Sequence, residues 1–483
     1  MSAKVPGSAG LPLLGDRSYE FYKDPIKFQH KYMENTKSRV FLARFLNKPT
    51  IFVGSNHVVH EVLTEHSNKM ELGYKQFWFE IFGDNVLFSD GEFADSLRES
   101  LKQLFTEEAI ETYQSTIERI VKKSLSNLDT GQPLCIYNLF KRLAIEVCLG
   151  LFLGLDFSQP EADVIADLTI THWHGIISVP LAVKVPLMSE STYSKAMDAK
   201  RKLLEIIHQR RIDKRHEFVE RVEGLGSLTE ESVNNHLLLF TSALVPKALS
   251  SILTSFVIET GSPDQVDTQS SLLHDEALLE RVLLEVLRLY PPFFGGRRVV
   301  TEDFSAGGFR FPAGHGVLYM TYTAQRDRAV FEDPDTFNPD RWTHKNANDR
   351  ERLYCFGMGP RKCVGQNLVS TILKTVIREL LEKYTWEMVA DQDLPCKCLP
   401  VYRPRNQVLV KFKSSMGQDS GYLTSPGSPL SPACPNCKKF VMPSPQGSKE
   451  AVENEIGVRR ENGTIPGCTC SCEGVSPMKR TSH

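Results

Sequence analysis

The decapeptide FGMGPRKCVG, residues 356–365, sets one cysteine among three glycines, a proline and two basic residues. A helical pattern, QNLVSTILKTVIRELLEKY, follows at once, with apolar residues at three- and four-residue steps. A buried structural cysteine needs no such setting, so the stretch asks what Cys363 holds. A metal-bound thiolate needs a lowered pKa, and unpaired N–H groups at a helix N-terminus supply part of it. Gly359 permits backbone angles that other residues avoid, and Gly365 lets the helix approach a flat ligand closely. Arg361 can meet an anionic group at that ligand's edge.

These features suit a haem iron held by one cysteinate, with Arg361 on a propionate. The plain alternative is a free cysteine buried ahead of a helix. Against it stands the complete pattern F-x-x-G-x-R-x-C-x-G, formed by Phe356, Gly359, Arg361, Cys363 and Gly365. Through this pattern the chain resembles the cytochrome P450 superfamily. The resemblance implies a mainly α fold with a smaller β-rich portion, and haem b (iron protoporphyrin IX) with Cys363 as the ligand to the metal.

Other segments extend the resemblance. Glu285-Val-Leu-Arg288, before Tyr290-Pro-Pro292, matches the family's Glu-x-x-Arg, and Phe337-Asn-Pro-Asp-Arg341-Trp342 matches its following meander. Two guanidinium groups on one carboxylate form a charge-assisted network, so Glu285, Arg288 and Arg341 are expected to brace the cysteine loop. Arg298, in GGRRVV, falls where the family places a second propionate ligand. Arg98, in ADSLRESLKQLF, falls on a helix that supplies another, although the tryptophan usual four residues earlier is Ala94 here. A solvated helix face is the alternative for Arg98. The resemblance runs over 5–412, and PPFFGGRR, FNPDRW and ELLEKYTWEMV are most similar to the retinoic-acid-hydroxylating branch.

One helix departs from the family. Its oxygen-activating helix, above the haem, carries an acid and an alcohol that relay protons to bound dioxygen. Here the segment is HLLLFTSALVPKALSSILTSF, which puts Leu244 on the acid and Val245 on the alcohol. Neither side chain can donate or relay a proton. No Asp or Glu stands between Glu231 and Glu259, so a shift of alignment does not restore the acid. Water, or Thr241 and Ser242 as the catalytic hydroxyls, would have to carry the protons. Pro246 is expected to bend a single helix over 231–260. The connection over 260–276, near the surface where a reductase docks in the family, is short.

The 483 residues carry a net charge of −2, which gives no footing for a nucleic-acid partner. Residues 40–53 read as a hairpin, 276–290 as a helix stopped by the double proline, and 364–384 as another helix. The haem domain is expected over 1–413. Residues 414–483, rich in Ser, Pro, Gly and charge, read as a disordered tail. Cys434 and Cys437 in that tail form half a zinc knuckle, but Cys468, Cys470 and Cys472 lack the matching spacing.

No run near eighteen apolar residues occurs, so no transmembrane anchor is expected. At most, the apolar connector IISVPLAVKVPLM, residues 176–188, makes peripheral membrane contact. The location expected is cytoplasmic, or peripheral on the endoplasmic reticulum. An apolar substrate pocket is expected to draw on 77–82 and 176–187. The resemblance implies a monooxygenase acting on a lipophilic retinoid, sterol or fatty acid, with electrons from an NADPH-dependent reductase. Rearrangement of a fatty-acid hydroperoxide, as in allene oxide or prostacyclin synthases, needs neither reductase nor acid–alcohol relay and is the second reading. A haem-binding sensor or carrier without turnover is the third.

Overall fold

The computed structural model describes residues 2–415 apart from 127, 129, 178–190, 214–215, 227, 263–264, 266 and 344–349. The chain divides into two units, Met1–Asp419 and Ser420–His483. The tail cysteines, and most of the apolar connector, lie outside the described residues. Helices take 56% of the described residues and strands a smaller part, as the mainly α expectation requires.

Sequence pattern decides which helices are enclosed. Ile136–Leu153 is apolar on nearly every face and buries twelve of its residues. It packs against Leu244–Thr260, itself buried from Leu249 through Val257. Glu107–Leu125 is amphipathic and opens on Thr106, whose hydroxyl accepts from the Ala109 N–H at 3.2 Å, with Glu107 and Glu108 at the positive end of the dipole. Glu276–Leu289 is capped by Asp275, which accepts from the Leu278 N–H at 2.9 Å, and it ends ahead of the double proline. Gln366–Lys383 packs on Glu107–Leu125 and completes the helical core.

A five-stranded sheet forms the β portion. Val40–Phe45 and Lys48–Val53 pair antiparallel as the expected hairpin, with Phe45 opposite Lys48. Both residues of its turn are left-handed, Leu46 at φ 50° and Asn47 at φ 54°, the twist a two-residue hairpin needs. Lys48–Val53 then pairs parallel with Gly316–Tyr319, and Gly296–Val300 and Met70–Leu72 follow outward. Residues 2–16 run along this sheet through single bridges such as Gly7 to Leu42. The sheet carries Arg298 to the cysteine loop, while its neighbour Arg297 points to the opposite, buried face.

The long central helix is two helices, Glu230–Thr241 and Leu244–Thr260, and the break corrects the reading of Pro246. Ser242 turns out of helical geometry at ψ 147°, so the second helix starts afresh at Leu244. Pro246 therefore sits in a first turn, where its missing N–H has no partner to lose. The first regular bond runs from the Lys247 N–H to the Ala243 carbonyl at 3.1 Å. By length and composition, Glu230–Thr260 would cross a membrane, but 78% of its most apolar window is buried inside the protein, which makes it core. The short connection after it includes a helix of its own, Thr268–His274. Of the stretches expected to line a pocket, Ile81 and Phe82 are plain core.

Candidate active site

The cysteine loop is built on its glycines. Gly357 and Gly359 are left-handed at φ 70° and 66°, and a Cβ on Gly359 would stand 2.2 Å from the Leu63 carbonyl oxygen. The turn closes with the Cys363 N–H donating to the Phe356 carbonyl at 2.8 Å. Gly365 caps the helix Gln366–Lys383, and a Cβ there would meet no protein atom within 4 Å. A flat ligand can therefore lie against this backbone.

Cys363 is exposed, whereas Cys148 is buried and the thiol of Cys355 is pushed up to about 12 by burial. Among the described cysteines none other is exposed. The expected depression of the Cys363 pKa does not occur in the protein alone. Crowding by protein pushes the thiol up even though the residue as a whole is exposed, and the N–H of Gly365, with Arg98 and Lys362, offsets only part of this. Helix Gln366–Lys383 starts too late for its own dipole to dominate. A bound iron would supply what is missing, because a thiol that ligates a metal is deprotonated outright.

Three guanidinium groups surround the loop. Arg98 is only 7% exposed, which removes the solvated-face alternative. Its Nε donates to the Pro360 carbonyl at 3.0 Å and its Nη2 to the Lys362 carbonyl, so it clamps the loop as well as charging it. Arg361 donates to the Ser89 carbonyl at 2.7 Å and pairs with Asp90 at 3.0 Å. Arg298 donates to the Arg297 carbonyl at 3.1 Å and lies over the Tyr319 ring. Burial and then the charge of Arg361 lower the pKa of Arg98, and Arg298 adds to the repulsion on both. Asp90 and Asp95 answer only part of this positive charge. The cluster fits the two carboxylate arms of a haem, so Arg98, Arg298 and Arg361 would hold the edge and Cys363 the iron. Bound haem supplies redox chemistry with dioxygen, which thiolate donation favours toward O–O cleavage.

The bracing network is complete. Glu285, wholly buried, accepts from Arg288 at 2.8 and 2.9 Å and from Arg341 at 2.9 Å. It also accepts from the Asn338 N–H at 2.9 Å and the Trp342 indole at 3.0 Å. Arg288 reaches on to the Gln325 carbonyl at 3.0 Å, Gln325 accepts from the Tyr354 N–H at 2.7 Å, and the Tyr354 carbonyl accepts from the Gly357 N–H at 2.9 Å. The carboxylate is thereby tied to the cysteine loop through Gln325 and Tyr354. Gln325, Tyr354 and Asp90 are not among the sequence candidates, and no local pattern in TAQRDR, RLYCF or FSDGE marks them.

Burial alone would raise the Glu285 pKa, but its bonds to Arg288, Asn338 and Arg341 hold it below the ordinary value. A depressed carboxylate stabilises the fold above its unfolded pKa of about 4.3, and that contribution is lost as pH falls through the folded pKa. Haem release is therefore expected to begin below about pH 4, followed by loss of the Soret band in an acid titration. A Soret band unchanged at about pH 2 would contradict this.

Thr241 and Ser242 stand at the helix break, both buried. The Thr241 hydroxyl donates to the Leu237 carbonyl at 2.9 Å, and Ser242 Oγ receives the Leu244 N–H at 3.4 Å. Leu244 itself packs beside Trp173.

The cytochrome P450 family profile matches residues 6–243 and 258–412. The interval between the matched segments includes Leu244 and Val245. The chain is 25% identical to cytochrome P450 26B1 of Danio rerio, over 85% of this chain and 87% of that protein. It is 26% identical to a putative cytochrome P450 120 of Synechocystis, over 85% and 97% respectively. The solved structure of retinoic acid-bound cyanobacterial CYP120A1 superposes with a TM-score of 0.74 at 24% identity, covering 86% of this chain and all of that one. On the profile match across the helical body, the sheet and the cysteine loop, the chain belongs to the cytochrome P450 family, whose members bind haem.

Proposed function

We propose that this protein is a haem-thiolate monooxygenase of a lipophilic molecule, with Cys363 as the iron ligand. One observation carries the proposal: an exposed cysteine in a braced loop, ringed by Arg98, Arg298 and Arg361. The substrate class is a retinoid, a sterol-like terpenoid or a fatty acid. Supporting it are the retinoic acid bound to the similar cyanobacterial protein and a similar β-amyrin 28-monooxygenase of Panax ginseng. Electrons come from an NADPH-dependent reductase. Carbon monoxide difference spectra together with reductase-supported oxidation of such substrates test the reading, and a haem protein inert toward all of them would be the sensor or carrier.

A second reading, reductase-independent rearrangement of a fatty-acid hydroperoxide, is favoured by the helix break. Leu244 and Val245 carry no proton, and the Thr241 hydroxyl is donated within its own helix. The double substitution Leu244→Asp/Val245→Thr separates the two. A new Asp at 244 would lie three residues from Lys247, a spacing at which helix side chains meet, so its charge gains a partner, and turnover is read with a neutral lipophilic substrate that does not compete for that lysine. If proton delivery limits a monooxygenase, NADPH-coupled turnover rises by up to about 10²–10⁴-fold, the range a positioned acid supplies, and peroxide release falls. In a hydroperoxide isomerase neither quantity improves, and wild type turns over the hydroperoxide without reductase.

A further inference from the structure

Beside the helix break lies a basic cluster that the haem site does not use. Lys247, half-buried in the first turn of Leu244–Thr260, holds its ammonium 5.2 Å from the centroid of the Trp173 ring. Lys141 comes from Ile136–Leu153, His174 from the end of Pro160–His174, and Arg403 from the strand Arg403–Pro404. Each is close enough for its charge to act on the others. Among the described residues, the side chains of Lys141, His174 and Lys247 have no hydrogen-bond or ion-pair partner. Among the described residues Arg403 donates to the Leu399 and Val401 carbonyls alone, at 3.3 and 3.2 Å. The Asp167 carboxylate acts on Lys141.

A second observation is independent of charge. Trp173 is 2% exposed, and among the described residues its indole N–H has no acceptor. Buried donors without partners are rare and call for an explanation. The site thus gathers donors and cations and offers almost no acceptor. Trp173 also packs against Ala243 and Val401, with Leu244, Ile176 and Phe293 alongside, so an apolar wall adjoins the basic groups.

We propose that Lys247, Lys141, Arg403 and the indole N–H of Trp173 form a recess for the carboxylate of a lipophilic acid, whose apolar chain lies along the adjoining wall. This names the substrate class within the monooxygenase reading and rests on it for turnover, but not for binding. Charge balance supports the assignment. Burial, then Lys141 and Arg403, push Lys247 down to about 7, and burial, then Lys247, Lys141 and Arg403, push His174 down to about 4. Tyr137 faces Arg403 and Ser250 in the same region and adds no negative charge near neutrality. An incoming carboxylate relieves this repulsion and draws a proton onto Lys247, so acid binding is tightest below about pH 7 and weakens above it.

Calorimetric titration of the haem-loaded full chain with dodecanoate, methyl dodecanoate and acetate tests this. Dodecanoate is expected to bind about 10- to 100-fold more tightly than its ester, the range of a charge-assisted hydrogen bond. Acetate is expected not to saturate at matching concentrations. Lys247→Met should remove the preference for the acid and its pH dependence while leaving ester binding unchanged, and Lys247→Arg should restore the preference. If Lys247→Met does not fold, Trp173→Phe, which deletes the indole N–H, should weaken the acid alone by about 3- to 10-fold. Equal binding of acid and ester by wild type, an unaffected Lys247→Met, or acetate binding as well as dodecanoate would overturn the proposal. A wild-type reduced-carbonyl spectrum without thiolate character would instead overturn the monooxygenase reading, and the two failures are distinct.

Discussion

Cys363→Ala is expected to abolish the thiolate-type absorption of the reduced carbonyl complex. Among the described cysteines Cys363 is the exposed one, while Cys355, eight positions earlier, is only partly exposed and stands outside the closing turn Phe356–Cys363. The loop itself should persist. Its closing bond runs between backbone groups, from the Cys363 N–H to the Phe356 carbonyl, and does not need the sulfur. The variant should therefore remain folded, keep haem weakly if at all, and show no thiolate signature. A variant with an unchanged haem spectrum would place the iron ligand elsewhere.

Glu285→Ala is expected to cost more in stability than any other single change in the network. The carboxylate is wholly buried and receives two arginines, one backbone N–H and one indole. Removing one member of a buried ion pair costs about 3–5 kcal/mol, and each further orphaned donor about 1–3 kcal/mol. Domains hold only about 5–15 kcal/mol in all, so the protein should be recovered poorly and without haem. Glu285→Gln, which keeps an acceptor and loses the charge, should fall between the two. Soluble, haem-replete Glu285→Ala protein melting at the wild-type temperature would remove the bracing role.

Local motifs were legible because their chemistry is local. The cysteine loop, the hairpin turn at Leu46 and Asn47, and the helix stopped by Pro291 each follow from residues a few positions apart. The Glu285 network was legible for a different reason, that an i,i+3 pair and a distant arginine recur in a fixed order. What sequence did not show depends on the chain's return. Tyr354 joins the network through its backbone groups, and the buried Gln325 side chain bridges the Tyr354 N–H to the Leu287 and Arg288 carbonyls, contacts that only the fold brings together. Asp90 answers Arg361 across the fold, and the basic recess collects its residues from four separated elements. Pro246 was misread for a physical reason: a proline bends a helix only in its interior, and the break at Ser242 moved it to a first turn. The Cys363 thiol was expected to be lowered by a helix N-terminus, but burial outweighs that when no cation is bound.

The monooxygenase claim is tested most directly by the source of the oxygen in the product. Haem-loaded protein is incubated with retinoate or dodecanoate, NADPH, a reductase and isotopically labelled dioxygen, and in parallel with a fatty-acid hydroperoxide and no reductase. A hydroxylated acid carrying one labelled oxygen, formed only when NADPH and reductase are both present, is the predicted result. Rearrangement of the hydroperoxide without reductase, with no labelled product from either acid, would contradict it.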